Sequence, residues 1–233
     1  MQIDYTDIGH MEYQAAWDFQ QARMDELIEM RKNPDYSSNP FAGWFLAVEH
    51  PHVYTLGKSG DEQNLLLNYI QLQAKNAQFI HTNRGGDITY HGPGQMVGYP
   101  IIDLDKLNLS VRRYIYLMEE AIILAMAEYG IKTERLDGAT GVWIDSLTPG
   151  KARKVCAIGV RVSRFVTMHG FALNVNTDLS YFNYINPCGF TDKSVTSLEK
   201  ELGEKQDFGK IKELVKDNFS KVFKTDLILK ANM

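Results

Sequence analysis

Cysteine is scarce in this sequence. Only Cys156 and Cys188 occur among its 233 residues, too few for the disulfide framework of a small secreted domain. The N-terminal stretch "MQIDYTDIGH" lacks the basic and apolar segments of a signal peptide. No apolar run approaches the length of a membrane span. We therefore expect free thiols, a reducing cytoplasmic location and no membrane partner.

An excess of positive charge is also missing. Lysine and arginine number 25 against 29 acidic residues, which gives a net charge of -4 and a pI near 5.9. Nonspecific nucleic-acid binding relies on a basic surface, so we expect no nucleic-acid partner. The apolar content of 44% is that of a globular protein. We expect one domain over residues 1–233, with room for a small C-terminal subdomain after about residue 190, and a monomer.

Hydrophobic periodicity predicts helices at both ends of a block of strands. Ser110 is a candidate N-cap for the central helix, and Gly130 a candidate C-terminal stop. Strands without regular strand–helix alternation favour an α+β domain over a doubly wound parallel sheet. The predicted helices are 14–31, 111–130 and 209–224, and the predicted strands are 43–50, 79–84, 87–92, 95–103, 141–145, 154–163 and 165–176.

The stretch "RGGDITYHGPGQ", from Arg84 to Gln95, contains four glycines. Glycine lets the backbone approach a ligand closely and leaves N–H groups available. The stretch matches neither the phosphate-binding loop nor the dinucleotide fingerprint. Two interpretations stay open: a ligand-binding loop, and a pair of tight turns in which His91 is a hydrogen-bonded structural residue.

The stretch "KARKVCAIGVRVS" predicts a strand on which Lys154 and Cys156 share a face with three apolar residues. A lysine at the end of an apolar face is partly desolvated, and desolvation lowers its pKa towards that of a general base. The alternative is a lysine that extends to solvent. Cys156 is predicted to be a core residue. In the next strand, His169-Gly170 suggests a bulge at the glycine.

Cys188 lies in "NPCG", among residues that favour turns. A turn would leave its thiol accessible to a substrate, and a basic neighbour would raise the thiolate fraction. A chance surface cysteine is the alternative.

Taken in order, these stretches resemble the lipoyl/octanoyl transferase family. The resemblance is carried by "EHPHVYTLGKSG", "RGGDITYHGPGQ", "GVWI", "KVCAIGVRV", "HGFALNVNTDLSYF" and "INPCGF", and covers roughly residues 43 to 190. It implies the fold of the biotin and lipoate protein ligases, an α+β domain in which helices flank a mixed sheet. It also implies an acyltransferase that moves an octanoyl or lipoyl group.

The resemblance implies a role for each matching position. Cys188 corresponds to the acyl-accepting cysteine and Lys154 to its partner base. The expected acyl-binding residues form three segments: Arg84, Gly85, Gly86, Asp87, Ile88, Thr89, Tyr90 and His91; Ala157, Ile158 and Gly159; Gly170, Phe171 and Ala172. Ile158 and Phe171 are candidates to line an acyl tunnel.

The same resemblance implies the reaction partners. The donor would be octanoyl-acyl carrier protein. The acceptors would be the lipoyl domains of 2-oxoacid dehydrogenase E2 subunits and the glycine cleavage H protein. The donor is already a thioester, so we expect no ATP and no metal cofactor. These partners are generally acidic, and the candidate basic residues for docking them are Arg112, Arg113, Lys151, Arg153, Arg161 and Arg164.

Three rival functions stay open at the level of sequence. An ATP-dependent lipoate or biotin protein ligase would share the fold but would not need Cys188. A binding-only relative would keep the residues without the activity. A metal site built from Cys156, Cys188, His91 and His169 matches no compact zinc spacing.

Overall fold

The computed structural model describes residues 1–186 and 193–230. Within these residues, a mixed sheet of nine strands forms the centre of the molecule, and a second sheet of three strands lies beside it. The strands are β1 (Gln2–His10), β2 (Phe41–Glu49), β3 (Val53–Leu56), β4 (Gln78–His81), β5 (Ile88–His91), β6 (Gln95–Ile102), β7 (Glu134–Leu136), β8 (Ala139–Ile144), β9 (Arg153–Ser163), β10 (Val166–Asn174), β11 (Ser194–Val195) and β12 (Asp226–Leu229).

Helices cover the large sheet. Their bounds are α1 (Tyr13–Met30), α2 (Tyr69–Ala74), α3 (Val111–Ala127), α4 (Leu198–Leu202) and α5 (Phe208–Phe223). The side chains of α3 and α5 pack into one core cluster, and those of α1 pack into a second. This arrangement is the predicted α+β class, with helices flanking a mixed sheet.

The large sheet runs in the order β12-β1-β2-β6-β10-β9-β8-β7, and β11 pairs with β9. The pairs β12–β1, β1–β2 and β11–β9 are parallel, and the others are antiparallel. In the small sheet, β3 runs parallel to its neighbour β4 and antiparallel to its neighbour β5. The predicted hairpin of two long strands is therefore present as β9 and β10.

The segment after residue 193 adds to the central sheet and its core. Strand β12 forms the edge next to β1. Phe219 and Phe223 of α5 stack with ring centroids 4.0 Å apart, and Phe219 also contacts Phe45 of β2 at 4.6 Å. The C-terminal elements thus bury their apolar faces against the same core as α3.

Two local predictions need correction. Helix α3 starts after Ser110, as predicted, and the Ser110 side chain accepts a hydrogen bond from the N–H of Arg113. The helix ends at Ala127 rather than at Gly130, because the N–H of Gly130 bonds to the carbonyl of Ala127 in a tighter turn. Strand β10 has no bulge at Gly170, which pairs with Gly159 in unbroken register. The irregularity is instead a left-handed backbone at His169, with φ of 59°.

Candidate active site

A cavity of about 1040 Å³ lies between strands β9 and β10 of the large sheet and the glycine-rich loop that precedes β5. The start of α1, strand β6, Trp143 of β8 and the segments 179–186 and 193–195 also contribute to its lining. Elements that are distant in the chain therefore converge on one cavity, large enough for a small-molecule or acyl ligand.

The cavity brings together Lys154 and most of the residues predicted to bind the acyl group. Tyr90 is not in the lining: its side chain is buried in the core of the small sheet, where its ring stacks on Tyr181 at 4.9 Å and its hydroxyl bonds to His52. The predicted residues in the lining are Arg84, Gly85, Gly86, Asp87, Ile88, Thr89, His91, Lys154, Ala157, Ile158, Gly159, Gly170, Phe171 and Ala172.

Cys188 lies outside the described residues. Asn186 and Lys193, the described residues on either side of its segment, both line the cavity. The N–H of Asn186 bonds to the carbonyl of Asn64, and β11 pairs with the start of β9 at Lys154. Both described neighbours of the segment 187–192 therefore lie at this cavity.

Lys154 lies half-buried on β9, beside the neighbouring strand β8. Its Nζ is 4.7 Å from the centroid of the Trp143 ring, within the range of a cation–π contact. Gly141 leaves space for the lysine side chain, since a Cβ there would lie 3.3 Å from the Cε of Lys154. Strand pairing thus positions the amino group over an aromatic face at the edge of the cavity.

Cys156, two residues further along β9, is fully buried. Burial raises the pKa of its thiol, despite the nearby positive charge of Lys154. A thiol with a raised pKa is a poor nucleophile, so Cys156 is the core residue that was predicted.

Arg84 fastens the glycine-rich loop to the small sheet. Its Nη2 donates to the carbonyls of Thr55 at 2.6 Å and Asp87 at 2.7 Å, and its Nη1 donates to the carbonyl of Gly85 at 3.0 Å. The N–H of Gly85 donates to the carbonyl of Val160 on β9 at 2.9 Å. That N–H is therefore committed to holding the loop against the large sheet and is unavailable to a ligand.

Three histidines, His50, His91 and His169, are buried. The rings of His50 and His91 are 5.9 Å apart, and Tyr99 lies beside both His50 and His169. Burial lowers the pKa of all three, to about 4 for His50 and to about 3 for His169. They are therefore neutral at pH 7. The ring of Tyr13, from the start of α1, stacks on that of His91 with centroids 5.7 Å apart.

Several lining residues were not among the predicted site residues. Tyr13, Val97, Tyr99 and Trp143 all face the cavity. Trp143 belongs to the "GVWI" stretch of the resemblance, but its contact with Lys154 depends on the pairing of two strands. Tyr13 lies in a helix whose apolar periodicity indicates only a buried face.

The described part of the chain contains no group of three or more His, Cys, Asp or Glu residues placed to hold a metal ion. In the same residues, no helix combines the length and apolarity needed to cross a bilayer. Among the candidate basic docking residues, Arg153 bonds to Glu201 at 2.6 Å and to Asp145, so its charge is largely satisfied within the molecule.

The comparisons with known proteins agree with this architecture. Residues 12–220 match the family model described as the lipoyl protein ligase A/B catalytic domain. An octanoyltransferase of Christiangramia forsetii is 52% identical over 97% of both chains. An octanoyltransferase of Flavobacterium psychrophilum is 53% identical over 97% of this chain and 98% of its own.

The solved structures confirm the fold. A lipoate-protein ligase A bound with ATP superimposes with a TM-score of 0.72, at 12% identity, over 99% of this chain and 89% of its own. The fold and the sequence matches define a domain of the lipoate ligase and transferase class. The chain belongs to the lipoyl protein ligase A/B catalytic domain family, in its octanoyltransferase branch.

Proposed function

We propose that this octanoyltransferase moves an octanoyl or lipoyl group from acyl carrier protein to a specific lysine of a lipoyl domain. Cys188 carries the group as a thioester, and Lys154 is the general base. The acceptors are the lipoyl domains of 2-oxoacid dehydrogenase E2 subunits and the glycine cleavage H protein. The supporting observation is the position of Lys154 in one cavity with all three expected acyl-binding segments.

The position of the cavity supports Cys188 as the nucleophile. Cys188 follows Asn186 by two residues, and two trans peptides span at most about 7 Å. Asn186 lines the same cavity as Lys154. Chain connectivity therefore permits the thiol to come within reach of the lysine, as a nucleophile and base pair requires.

The chemistry balances without a further reactant. Lys154 takes the proton of the Cys188 thiol, and the resulting thiolate attacks the thioester carbonyl of the donor. The carrier thiolate leaves and receives that proton from Lys154. The amine of the target lysine then attacks the enzyme thioester, and the Cys188 thiol leaves as the amide forms. That amine has an ordinary pKa of about 10.4, so it must lose a proton before it attacks.

The lining of the cavity suits an acyl chain. Val97, Ile158, Phe171 and Ala172 contribute apolar surface, and each methylene buried contributes roughly 0.8 kcal/mol. Since the donor is already activated, neither ATP nor a metal is part of this proposal. The proposal also includes a single domain, a monomer and a cytoplasmic location, where the thiol would stay reduced.

A transfer assay separates this proposal from an ATP-dependent ligase of the same fold. The enzyme would be mixed with a lipoyl domain and either octanoyl-acyl carrier protein without ATP, or octanoate with ATP and Mg²⁺. We expect octanoylation of the lipoyl domain only with the first donor, and none when its target lysine is changed to arginine. Modification only with octanoate and ATP would identify a ligase and contradict the proposal.

A further inference from the structure

Two buried amides belong to the wall of the cavity, Gln95 of β6 and Asn174 of β10. These residues are 1% and 4% exposed, and neither was among the predicted site residues. An acyl chain packs best against an apolar wall. Apolar side chains of the same shape would also stabilise the fold about as well as a hydrogen-bonded pair. The two amides therefore indicate a role other than lining an acyl site.

Both side chains belong to one series of hydrogen bonds, which starts at His91 of β5. Nδ1 of His91 donates to Oε1 of Gln95 at 2.8 Å. Nε2 of Gln95 donates to the carbonyl of Tyr90 at 3.1 Å and to Oδ1 of Asn174 at 2.9 Å. Nδ2 of Asn174 then donates to the carbonyl of Thr196 at 3.0 Å. The series therefore runs from the small sheet to the residue that follows β11.

The direction of donation is the same along the series. The carbonyls of Tyr90 and Thr196 only accept, so the amide nitrogens of Gln95 and Asn174 must face them. Oε1 of Gln95 is then an acceptor, and Nδ1 of His91 carries the proton. Burial lowers the pKa of His91 well below its ordinary value, so the ring is neutral at pH 7 and keeps this tautomer. Hydrogen bonds that donate in one direction polarise one another, and the group holds a single arrangement.

The series ends beside Lys154. The N–H of Thr196 donates to the carbonyl of Lys154 at 3.0 Å, and Val195 pairs with Lys154 in the parallel register of β11 and β9. Strand β11 has only two residues, fewer than the usual strand, so side-chain contacts must help to hold it. Asn174 supplies such a contact at the residue next to this pair.

Thr196 is held from a second side by α4. Its hydroxyl donates to Oε1 of Glu201 at 2.5 Å, and Nε of Arg153 donates to the same carboxylate at 2.6 Å. Glu201 thus keeps the end of β11 against the start of β9. Asn174 adds a link from this pair of strands to the wall of the cavity. The position of Lys154 relative to the cavity therefore depends on the Asn174 amide.

We infer that Asn174 is a positioning residue for Lys154, and that Gln95 orients its amide. Asn174 holds β11 against β9, which keeps the Lys154 amino group over the ring of Trp143. This inference rests on the proposed function, in which Lys154 is the general base. A reacting group displaced by about 1 Å can slow a reaction by on the order of 10²-fold, so the backbone that carries the base has to be fixed.

A double-mutant cycle tests whether Asn174 acts through Lys154. Intact-protein mass spectrometry would follow single-turnover acylation by saturating octanoyl-acyl carrier protein in the wild type, Asn174→Leu, Lys154→Ala and the double variant. Leucine has nearly the size of asparagine but cannot donate to Thr196. We expect Asn174→Leu to slow acylation by roughly 10- to 100-fold in the wild-type background. In the Lys154→Ala background it should slow acylation by less than about two-fold.

Asn176→Leu is the matched control. Asn176 follows β10 and also bonds to backbone, with its Nδ2 on the carbonyl of Gln206 and its Oδ1 on the N–H of Gln206, both at 2.9 Å. Neither Asn176 nor Gln206 lines the cavity. This variant should lose stability and keep the wild-type rate of acylation. Denaturant unfolding would establish that each variant is folded under the assay conditions.

A second variant and a second measurement support the cycle. Gln95→Leu removes the donor that orients Asn174, and its own cycle with Lys154→Ala should show the same coupling with a smaller loss. Hydrogen exchange follows the end of β11 without relying on the reaction. The N–H of Thr196 should exchange faster in Asn174→Leu than in the wild type, and at the wild-type rate in Asn176→Leu.

Two results would overturn the inference. An equal loss from Asn174→Leu in both backgrounds would mean that Asn174 acts on the acyl group or on the whole fold. Unchanged exchange at Thr196 would mean that Asn174 does not hold β11. A Lys154→Ala enzyme that is acylated as fast as the wild type would instead overturn the proposed function. Faster exchange at Thr196 in Asn174→Leu would then still establish the link between Asn174 and β11.

Discussion

Lys154 is the residue on which the proposed mechanism depends most. Its Nζ lies over the face of Trp143, a cation–π contact that holds the side chain in one orientation. We predict that Lys154→Ala slows both acylation of Cys188 and transfer to the lipoyl domain, each by about 10² to 10⁴-fold. Single-turnover measurements of the two steps provide the check.

Lys221→Ala is the matched control, because Lys221 is exposed on α5 and does not line the cavity. It should leave both rates near wild type. A Lys154→Ala enzyme that slows only the second step would mean that another group activates Cys188.

Gly141 lies where the chain has no room for a side chain. Its φ is 128°, and a Cβ there would lie 2.5 Å from the carbonyl oxygen of Cys156 as well as close to Lys154. We predict that Gly141→Ala lowers the free energy of unfolding by about 1–3 kcal/mol and displaces the lysine, with a loss of activity. Denaturant unfolding and the transfer assay would measure the two effects.

Gly138→Ala is the control for backbone strain alone. Gly138 also has a positive φ, 74°, but a Cβ there would meet nothing within 4 Å. If both variants lost the same stability and activity, the close approach at Gly141 would have no special role.

At the scale of elements, the N-terminus of α3 depends on a side-chain cap. The Ser110 hydroxyl accepts from the N–H of Arg113 at 3.2 Å. We predict that Ser110→Ala lowers the free energy of unfolding by about 1 kcal/mol, and that Ser110→Asp, which keeps an acceptor, loses much less. Chemical denaturation checks both. An equal loss in the two variants would contradict the capping role.

The elements that could be predicted from sequence are those with a strong local pattern. Helices α1 and α5 and the hairpin of β9 and β10 agree with their apolar periodicity to within a few residues. Strands β1, β7, β11 and β12 and helices α2 and α4 were not predicted. Strand β12 has four residues at the sheet edge, where pairing with β1 rather than local propensity defines it.

The sequence predicted which residues form the candidate site better than it predicted how they are arranged. The three segments of the resemblance meet in the cavity, but the exclusion of Tyr90 follows from packing against Tyr181. The role of Trp143 requires the pairing of β8 with β9. The contact between Nε2 of His169 and Oδ1 of Asn83 joins residues that are distant in the chain. None of these contacts leaves a local signal in the sequence.

At the scale of the whole molecule, the buried histidines link stability to pH. Their pKa values in the folded protein are lowered by burial, to about 4 for His50 and about 3 for His169, against about 6.5 in the unfolded chain. Below about pH 6.5 the unfolded chain therefore binds protons that the folded protein does not. The free energy of unfolding should fall as the pH drops from about 6.5 towards 4, by about 1.4 kcal/mol per pH unit for each histidine.

His50→Gln should lower the number of protons taken up on unfolding by about one, which makes the dependence of the free energy of unfolding on pH shallower. Denaturant unfolding at several pH values measures this slope. His81→Gln, on the surface, should leave the slope as in the wild type. The same slope in wild type and His50→Gln would contradict a buried neutral His50.

Intact-protein mass spectrometry tests the proposed thioester intermediate on Cys188 most directly. The enzyme would be mixed with octanoyl-acyl carrier protein, without ATP and without a lipoyl domain, alongside Cys188→Ala and Cys156→Ala. We expect one octanoyl adduct on the wild type and on Cys156→Ala, labile to hydroxylamine and absent from Cys188→Ala. An adduct that persists in Cys188→Ala, or no adduct on any of the three, would contradict the thioester mechanism.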